Sequence, residues 1–187
     1  FVWSKESDQH PQKGLTVDPS YSITVQQRDI DKSQRWPVSF LKQVVRTTLR
    51  LAPCPDDAEV CLTLTTDRRI RQLNARYRGI DQATDVLAFA LEEGDGFHLP
   101  EGIPRQLGDI VVSVETTGLH SQQSHNNLES ELAWVICHGT LHLLGFDHQT
   151  DAQLKAMRER EREILEALKI PRDWPELWPA QEGRSPN

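Results

Sequence analysis

The order of hydrophobic and polar residues along the chain predicts an α/β protein. Alternating apolar and polar residues predict a strand with one buried face, and apolar residues three or four apart predict an amphipathic helix. A continuous apolar run, as at Val86–Ala90, predicts a strand in the middle of the sheet. Strands are predicted at residues 21–26, 59–65, 85–91 and 108–114. Helices are predicted at residues 38–51, 67–77, 115–125, 127–144 and from Thr150 or Asp151 to 168. We therefore expect the α/β (α+β) class, with a mixed sheet of about four strands flanked by helices.

The helix that begins at Asn127 is predicted to be the buried centre of the domain. Its leucine, valine and isoleucine residues surround it on most sides, which is typical of a helix enclosed by other elements. Gly139 falls on the packed side of this helix. We expect it to allow close approach of a neighbouring backbone.

Three segments carry no predicted element and set the expected domain limits. Residues 1–20 are polar and form a predicted flexible lead, and residues 171–187 form a Trp/Pro-containing tail. Residues 92–107 contain five Gly or Pro residues and are predicted to be a loop without regular structure, placed to cover a site. The expected single domain is therefore residues 21–170.

Composition excludes several classes of protein. The chain has 187 residues, 37% of them hydrophobic, which suffices for one core, and it contains no run of about 18 apolar residues that would span a membrane. The first residues, Phe1-Val2-Trp3, turn polar at once, unlike a signal peptide. Three cysteines without a C-x-x-C pair favour a reducing compartment.

Three histidines, at 138, 142 and 148, have the spacing of a metal site. In a helix, His138 and His142 project from one face, and a glycine turn at Gly145 would bring His148 from another direction. Three imidazoles with one open position are typical of catalytic Zn²⁺, so one zinc ion per chain is expected. The spacing also matches the metzincin proteases, but Gly139 stands where they carry the glutamate base. Asp147 and Asp109 are candidates for carboxylates that support the site, although turn formation is the commoner explanation for Asp109 and an alternative for Asp147.

The helix at residues 67–77 and its end concentrate positive charge. Ile70, Leu73 and Tyr77 are predicted to form its buried stripe, and the other side carries five arginines: Arg68, Arg69, Arg71, Arg76 and Arg78. A solvated helix face is the simple explanation, but such faces usually mix signs. Because the whole chain has a net charge of −7, any contact with nucleic acid must be local, and the arginines are predicted to bind phosphates.

Two motifs resemble the YbeY family of metal-dependent endoribonucleases. The segment HGTLHLLGFDH at 138–148 is similar to the family pattern HGxLHLxGYDH, with Phe146 in place of Tyr. Leu73-Asn74-x-x-Tyr77-Arg78, followed by TDVLAF at 84–89, is similar to LNxxYR…T[DN]VLSF, with Ala88 in place of Ser. The resemblance covers about residues 21–168. It implies the family fold and a functional role for Arg78 beside the histidines.

The resemblance also implies the biological setting. It predicts a zinc-dependent endonuclease acting on single-stranded rRNA, in maturation of the 3′ end of small-subunit rRNA and in ribosome quality control. The implied partners are rRNA precursors and the ribosome or small-subunit proteins, with neither DNA nor a membrane involved. The implied location is the bacterial cytoplasm, or an organellar stroma or matrix.

The residues leave other functions open. A hydrolase of another class, such as a peptidase, would need a replacement for the glutamate missing at 139. A non-catalytic assembly factor would use the metal structurally and the arginines for docking on rRNA. Within the nuclease hypothesis, the general base and the nucleophile are also open. Asp147 could be the base, or metal-bound hydroxide could act without a protein base. The nucleophile could be this water or the 2′-OH of the RNA, which would give a cyclic phosphate.

Overall fold

The structure, a computed structural model, describes residues 20–54, 57–91 and 104–174. Within these ranges the strands are β1 (Ser22–Gln27), β2 (Ala58–Thr65), β3 (Val86–Ala90) and β4 (Arg105–Ser113). The helices are α1 (Val38–Leu51), α2 (Asp67–Arg78), α3 (Val114–Gln123), α4 (Leu128–Leu143) and α5 (Asp151–Ala167), with a short 3₁₀ turn at Lys32–Gln34. The predicted α/β class with a four-stranded mixed sheet is confirmed.

The sheet has the strand order β1-β2-β4-β3. Strands β1, β2 and β4 run parallel, and β3 pairs antiparallel with β4. Strand β3 lies at the edge, so its predicted position in the middle of the sheet is wrong; its residues are apolar because both of its faces are covered. The connection from β1 to β2 passes through α1, as expected for parallel neighbours, which need a crossover. The chain reaches the edge strand β3 only after α2 and the turn that follows it.

The two faces of the sheet are covered very differently. Ile110 and Val112 of β4 belong to the large core formed with α1, α4 and α5, whereas Val111 between them packs with Leu87 and Ile70 of α2. This division follows from the two-residue side-chain period of a strand. Helix α4 thus lies on one face of the sheet, enclosed as predicted, and α2 lies on the other.

Two details of the sheet correct the expectations. Strand β4 begins at Arg105, inside the segment predicted to be a loop, because its first residues pair with β2 and Leu107 accepts a hydrogen bond from Leu91. Residues 92–103 of that segment lie outside the described residues, as do residues 1–19 and 175–187. Gly108 has φ 135°, and a Cβ there would lie 2.0 Å from the Phe89 carbonyl oxygen. It therefore lies inside the strand at a close approach of two backbones.

Gly139 in α4 has a different neighbour from the one predicted. A Cβ added at this position would lie 2.9 Å from Cγ2 of Ile110 and from Cγ2 of Val86. The close approach is therefore to sheet side chains rather than to a backbone. Within the described part of the chain, no helix has the length and apolarity to cross a membrane.

Candidate metal centre

The C-terminal end of α4 and the turn after it bring the three histidines together. Asn127 caps the start of α4 by accepting a hydrogen bond from the Ser130 amide at 2.7 Å, as expected for an N-cap. At the other end Gly145 adopts φ 83°, and the Phe146 amide donates to the Leu141 carbonyl at 3.1 Å. This is the left-handed ending predicted for the glycine. It reverses the chain so that His148 returns to the exposed side of His138 and His142.

The ring nitrogens of the three histidines converge on one point. The Nε2 atoms of His138 and His142 are 3.0 Å apart, and one ligand atom from each of the three residues lies within 4.8 Å of the others. Four-coordinate zinc, with Zn–N bonds of about 2.0–2.1 Å, requires ligand nitrogens roughly 3.3 Å apart. The three side chains are partly buried, so one side of the cluster stays open to solvent. The residues present fit a transition metal with one free coordination position.

His142 is held in the neutral form that a metal requires. Burial lowers the pKa of His142 to about 4, and the neighbouring rings of His138 and His148 oppose a further positive charge. A neutral imidazole offers its nitrogen lone pair without first losing a proton.

A buried carboxylate that the sequence pattern did not predict, that of Glu161, lies behind the histidines. Oε1 of Glu161 on α5 lies 2.7 Å from Nδ1 of His138, and its side chain is only 4% exposed. The alternating charges of Arg158–Glu163 are typical of a solvated helix face, but Glu161 within this run is buried. Glu161 lies four residues after Met157 and three before Ile164, on the buried stripe of α5. That spacing was the available signal.

The two aspartates predicted near the metal have different positions. The carboxylate of Asp147 accepts a hydrogen bond from the His148 amide at 2.7 Å, so it shapes the turn that carries this histidine. Asp109 projects from the sheet face opposite α4, where it lines a groove with Cys61, Thr63 and Arg69. Burial and the Asp109 carboxylate both raise the pKa of the Cys61 thiol. Because Asp109 and Ile110 point to opposite faces, the predicted supporting role of Asp109 is wrong.

A second carboxylate–histidine pair lies beside the site. Nδ1 of His120 on α3 is 3.5 Å from Oδ2 of Asp85, whose other oxygen, Oδ1, accepts hydrogen bonds from the Val86 amide and the Thr84 hydroxyl. Burial opposes ionisation of Asp85, but His120, with a smaller contribution from His138, holds the pKa of Asp85 below its usual range. Asp85 in turn raises the pKa of His120. His120 itself is partly buried.

A buried salt bridge joins the segment after α5 to the start of α4. Arg172 forms a salt bridge with Glu131 at 2.7 Å, with side chains only 2% and 1% exposed. Its guanidinium lies 4.4 Å from the Trp134 ring centre, and the Trp134 and His138 ring centres are 5.5 Å apart. Arg172 and Trp174 of the predicted tail are therefore packed on the domain, next to the histidine cluster.

The arginines of α2 are exposed, but their surroundings differ. Arg71 forms two 2.7 Å hydrogen bonds with Asp81, an exposed acid, so Asp81 would compete with a phosphate for this guanidinium, and phosphate binding by Arg71 stays a prediction. Arg69 donates to Gln72 at 3.3 Å, and Arg76 lies 5.4 Å from the Tyr77 ring centre. Arg68 is exposed on the first turn.

Tyr77 and Arg78 lie at the end of α2, near the sheet edge. Tyr77 was predicted to be buried, but it is 59% exposed and contacts Phe89 of the edge strand with ring centres 5.1 Å apart. Arg78 is the last residue of the helix and is exposed, and Gly79 follows with φ 71°, as predicted. Helices α2 and α4 cover opposite faces of the sheet, and both contact the edge strand β3.

Three imidazoles that converge on one point and leave a coordination position open are typical of a catalytic metal site. The fold and the site therefore place the chain in the class of candidate metal-dependent hydrolases. Comparison with known proteins narrows the class to one family. A family model described as Endoribonuclease YbeY matches residues 22–169. The chain belongs to the YbeY family.

Individual relatives agree with this assignment. Endoribonuclease YbeY from Heliobacterium modesticaldum is 45% identical over 150 residues, which cover 77% of this chain and 90% of the relative. Endoribonuclease YbeY from Desulforamulus reducens is 43% identical over 135 residues, covering 72% and 88%. The solution structure of TM1509 from Thermotoga maritima is similar with a TM-score of 0.50 and 24% identity, covering 79% of this chain and 91% of that protein. At that identity it supports the fold alone.

Proposed function

We propose that this chain is a zinc-dependent endoribonuclease that cleaves single-stranded rRNA precursors, in maturation of the 3′ end of small-subunit rRNA and in ribosome quality control. Its proposed setting is the bacterial cytoplasm, with RNA and the small ribosomal subunit as partners. Membership of an endoribonuclease family supports the reaction class. The convergence of His138, His142 and His148 is the observation that carries the metal assignment.

In this proposal the three histidines hold one zinc ion through ring nitrogens on the open side of α4. When bound, zinc polarises a phosphoryl oxygen and lowers the pKa of water. The described residues contribute position: the Gly145 turn and the Asp147 carboxylate place His148, and the neutral His142 needs no deprotonation before it binds. Gly139 supplies no carboxylate where metzincin proteases carry their base, which favours a phosphodiester over a peptide substrate.

Arg78 is proposed to contact the scissile phosphate and offset the charge that develops in the transition state. A planar guanidinium can donate two hydrogen bonds to a phosphate. Arg78 is exposed at the end of its helix, whereas Arg71 on the same helix is already bound to Asp81. Arg68, Arg69, Arg71 and Arg76 are proposed to bind neighbouring phosphates of the strand, with Asp81 competing for Arg71.

The test is cleavage by purified protein after chelation and after zinc is restored. Single-stranded RNA, double-stranded RNA and a casein peptide mixture form the substrate panel. The proposal predicts cleavage of single-stranded RNA, lost with the metal and recovered with zinc. Binding of rRNA without turnover would instead support a non-catalytic assembly factor, and peptide hydrolysis would support a metallopeptidase.

A further inference from the structure

The contact between Glu161 and His138 has the features of a specific interaction rather than of a chance contact. Glu161 lies on the buried stripe of α5, among Met157, Ile164 and Leu165. A carboxylate costs several kcal/mol to bury unless a partner compensates its charge or donates hydrogen bonds to it. The partner that the structure describes is Nδ1 of His138, at 2.7 Å. A core position is therefore occupied by an acid whose hydrogen bond is directed to one histidine of the cluster.

The geometry assigns the two nitrogens of His138 to different partners. Nδ1 faces Glu161, and Nε2 lies 3.0 Å from Nε2 of His142, at the centre of the cluster. A carboxylate is an acceptor, so Nδ1 must carry the proton in this hydrogen bond. That leaves the lone pair of Nε2 directed at the metal position. Helix α5 thereby fixes both the tautomer and the ring orientation of a residue on α4.

We propose that Glu161 is a positioning residue of the metal centre: it holds the His138 ring, with its proton on Nδ1, so that Nε2 binds a divalent transition metal. The inference rests on the metal half of the proposed function. Carboxylates in this position behind a metal-binding histidine typically contribute about 10–100-fold in metal affinity. A merely structural Glu–His pair would affect folding and leave the affinity of the folded protein unchanged.

Zinc affinity of the full chain, measured by competition with a chromophoric chelator and without RNA, provides the test. Glu161→Leu removes the acceptor, and we expect zinc to bind about 10–100-fold more weakly. Glu161→Gln keeps an oxygen that accepts from Nδ1, so we expect an intermediate loss of at least about threefold. The matched control is Glu163→Gln, since Glu163 is an exposed acid two residues away on the same helix. We expect the zinc affinity of Glu163→Gln to stay within about twofold of wild type.

A spectroscopic measurement separates positioning from general destabilisation. In the zinc-loaded wild type, NMR should detect a slowly exchanging proton on Nδ1 of His138. This signal should persist in Glu163→Gln and disappear in Glu161→Leu. Circular dichroism of each variant establishes that the compared proteins are folded.

Several results would overturn the inference. They are wild-type zinc affinity in folded Glu161→Leu, absence of the Nδ1 proton from the wild type, or no zinc binding by the wild type at all. If Glu161→Leu does not fold, Glu161→Gln decides: wild-type affinity contradicts the inference and a weaker affinity supports it. Weaker zinc binding in a protein that never cleaves RNA would leave Glu161 assigned and refute the nuclease proposal alone.

Discussion

The metal centre and the arginine helix α2 are built by different physical means. His138 and His142 project from a helix enclosed by the core, and buried groups on two other segments, Glu161 and Arg172, pack against or beside them. The arginines of α2 are exposed, and so is Asp81, the acid that pairs with Arg71. Packing therefore determines the geometry of the first region before any ligand arrives. In the second region, solvent and the partner determine it.

This difference predicts that substitutions near the metal centre change stability, whereas those on α2 change RNA binding or turnover alone. The experiments below test that contrast, from the largest expected effect to the smallest.

The strongest expected effect on folding is at Arg172. Arg172→Met would leave the buried Glu131 without its cation, and breaking a buried pair in this way typically costs about 3–5 kcal/mol. Urea unfolding of the metal-free protein measures the loss. Arg162→Met is the control, since Arg162 is exposed although it also lies near Trp174. An equal, small effect of both variants would show that residues 171–174 do not brace the centre.

On α2 we expect a large effect on turnover without one on stability. Losing one preorganised charge contact to a transition state costs about 10²–10³ in turnover. Arg78→Ala should therefore cleave at least about tenfold more slowly at saturating RNA, while it keeps its zinc and its free energy of unfolding. Arg71→Ala, the matched variant, should cleave almost normally because Asp81 already occupies its guanidinium. Weakened binding with unchanged turnover would make Arg78 a docking residue.

Two helical glycines distinguish packed from open backbone. Gly139→Ala would push a methyl group against Ile110 and Val86, and overpacking of this kind costs about 1–3 kcal/mol. Gly118→Ala in α3 meets nothing within 4 Å and should be neutral or stabilising by up to about 1 kcal/mol. Thermal unfolding of both variants checks the opposite signs. Equal signs would contradict the close packing of α4 on the sheet.

The smallest expected effect is a pH dependence at His120. Because Asp85 raises the pKa of His120 in the folded state, the pair stabilises the protein below the unfolded value near 6.5. That contribution disappears as pH rises through the folded pKa. Wild type should exceed His120→Gln in unfolding free energy by at most about 1 kcal/mol at pH 5.5. The gap should narrow at pH 8.5, and a gap that widens there would contradict the assignment.

The elements and the histidine triad were predictable because each depends on short-range pattern. Alternating or continuous apolar residues predict the strands, and the i, i+4 spacing followed by a glycine turn predicts that the histidines converge. Glu161 was also within reach, since it shares a stripe with Met157 and Ile164, but the alternating charges around it suggested a solvated face. Asp109 was misplaced because a motif does not state which side of a strand faces the site.

Other features depend on contacts that no local pattern contains. The Arg71–Asp81 pair requires the path of the turn after α2, and the Arg172–Glu131 pair joins segments 41 residues apart. Tyr77 has the spacing of a buried residue, yet its partner Phe89 belongs to an edge strand that leaves one side of the ring open. Burial at such places follows from tertiary position rather than from periodicity.

The central claim is that three histidines on one turn-linked segment hold one metal ion. Metal analysis after zinc loading and gel filtration tests it in wild type, His138→Ala, His142→Ala and His148→Ala, with His125→Asn at an exposed position as the control. The account predicts about one zinc per chain in wild type and in the control, and little or none in the three alanine variants. Full occupancy in all three alanine variants would contradict it.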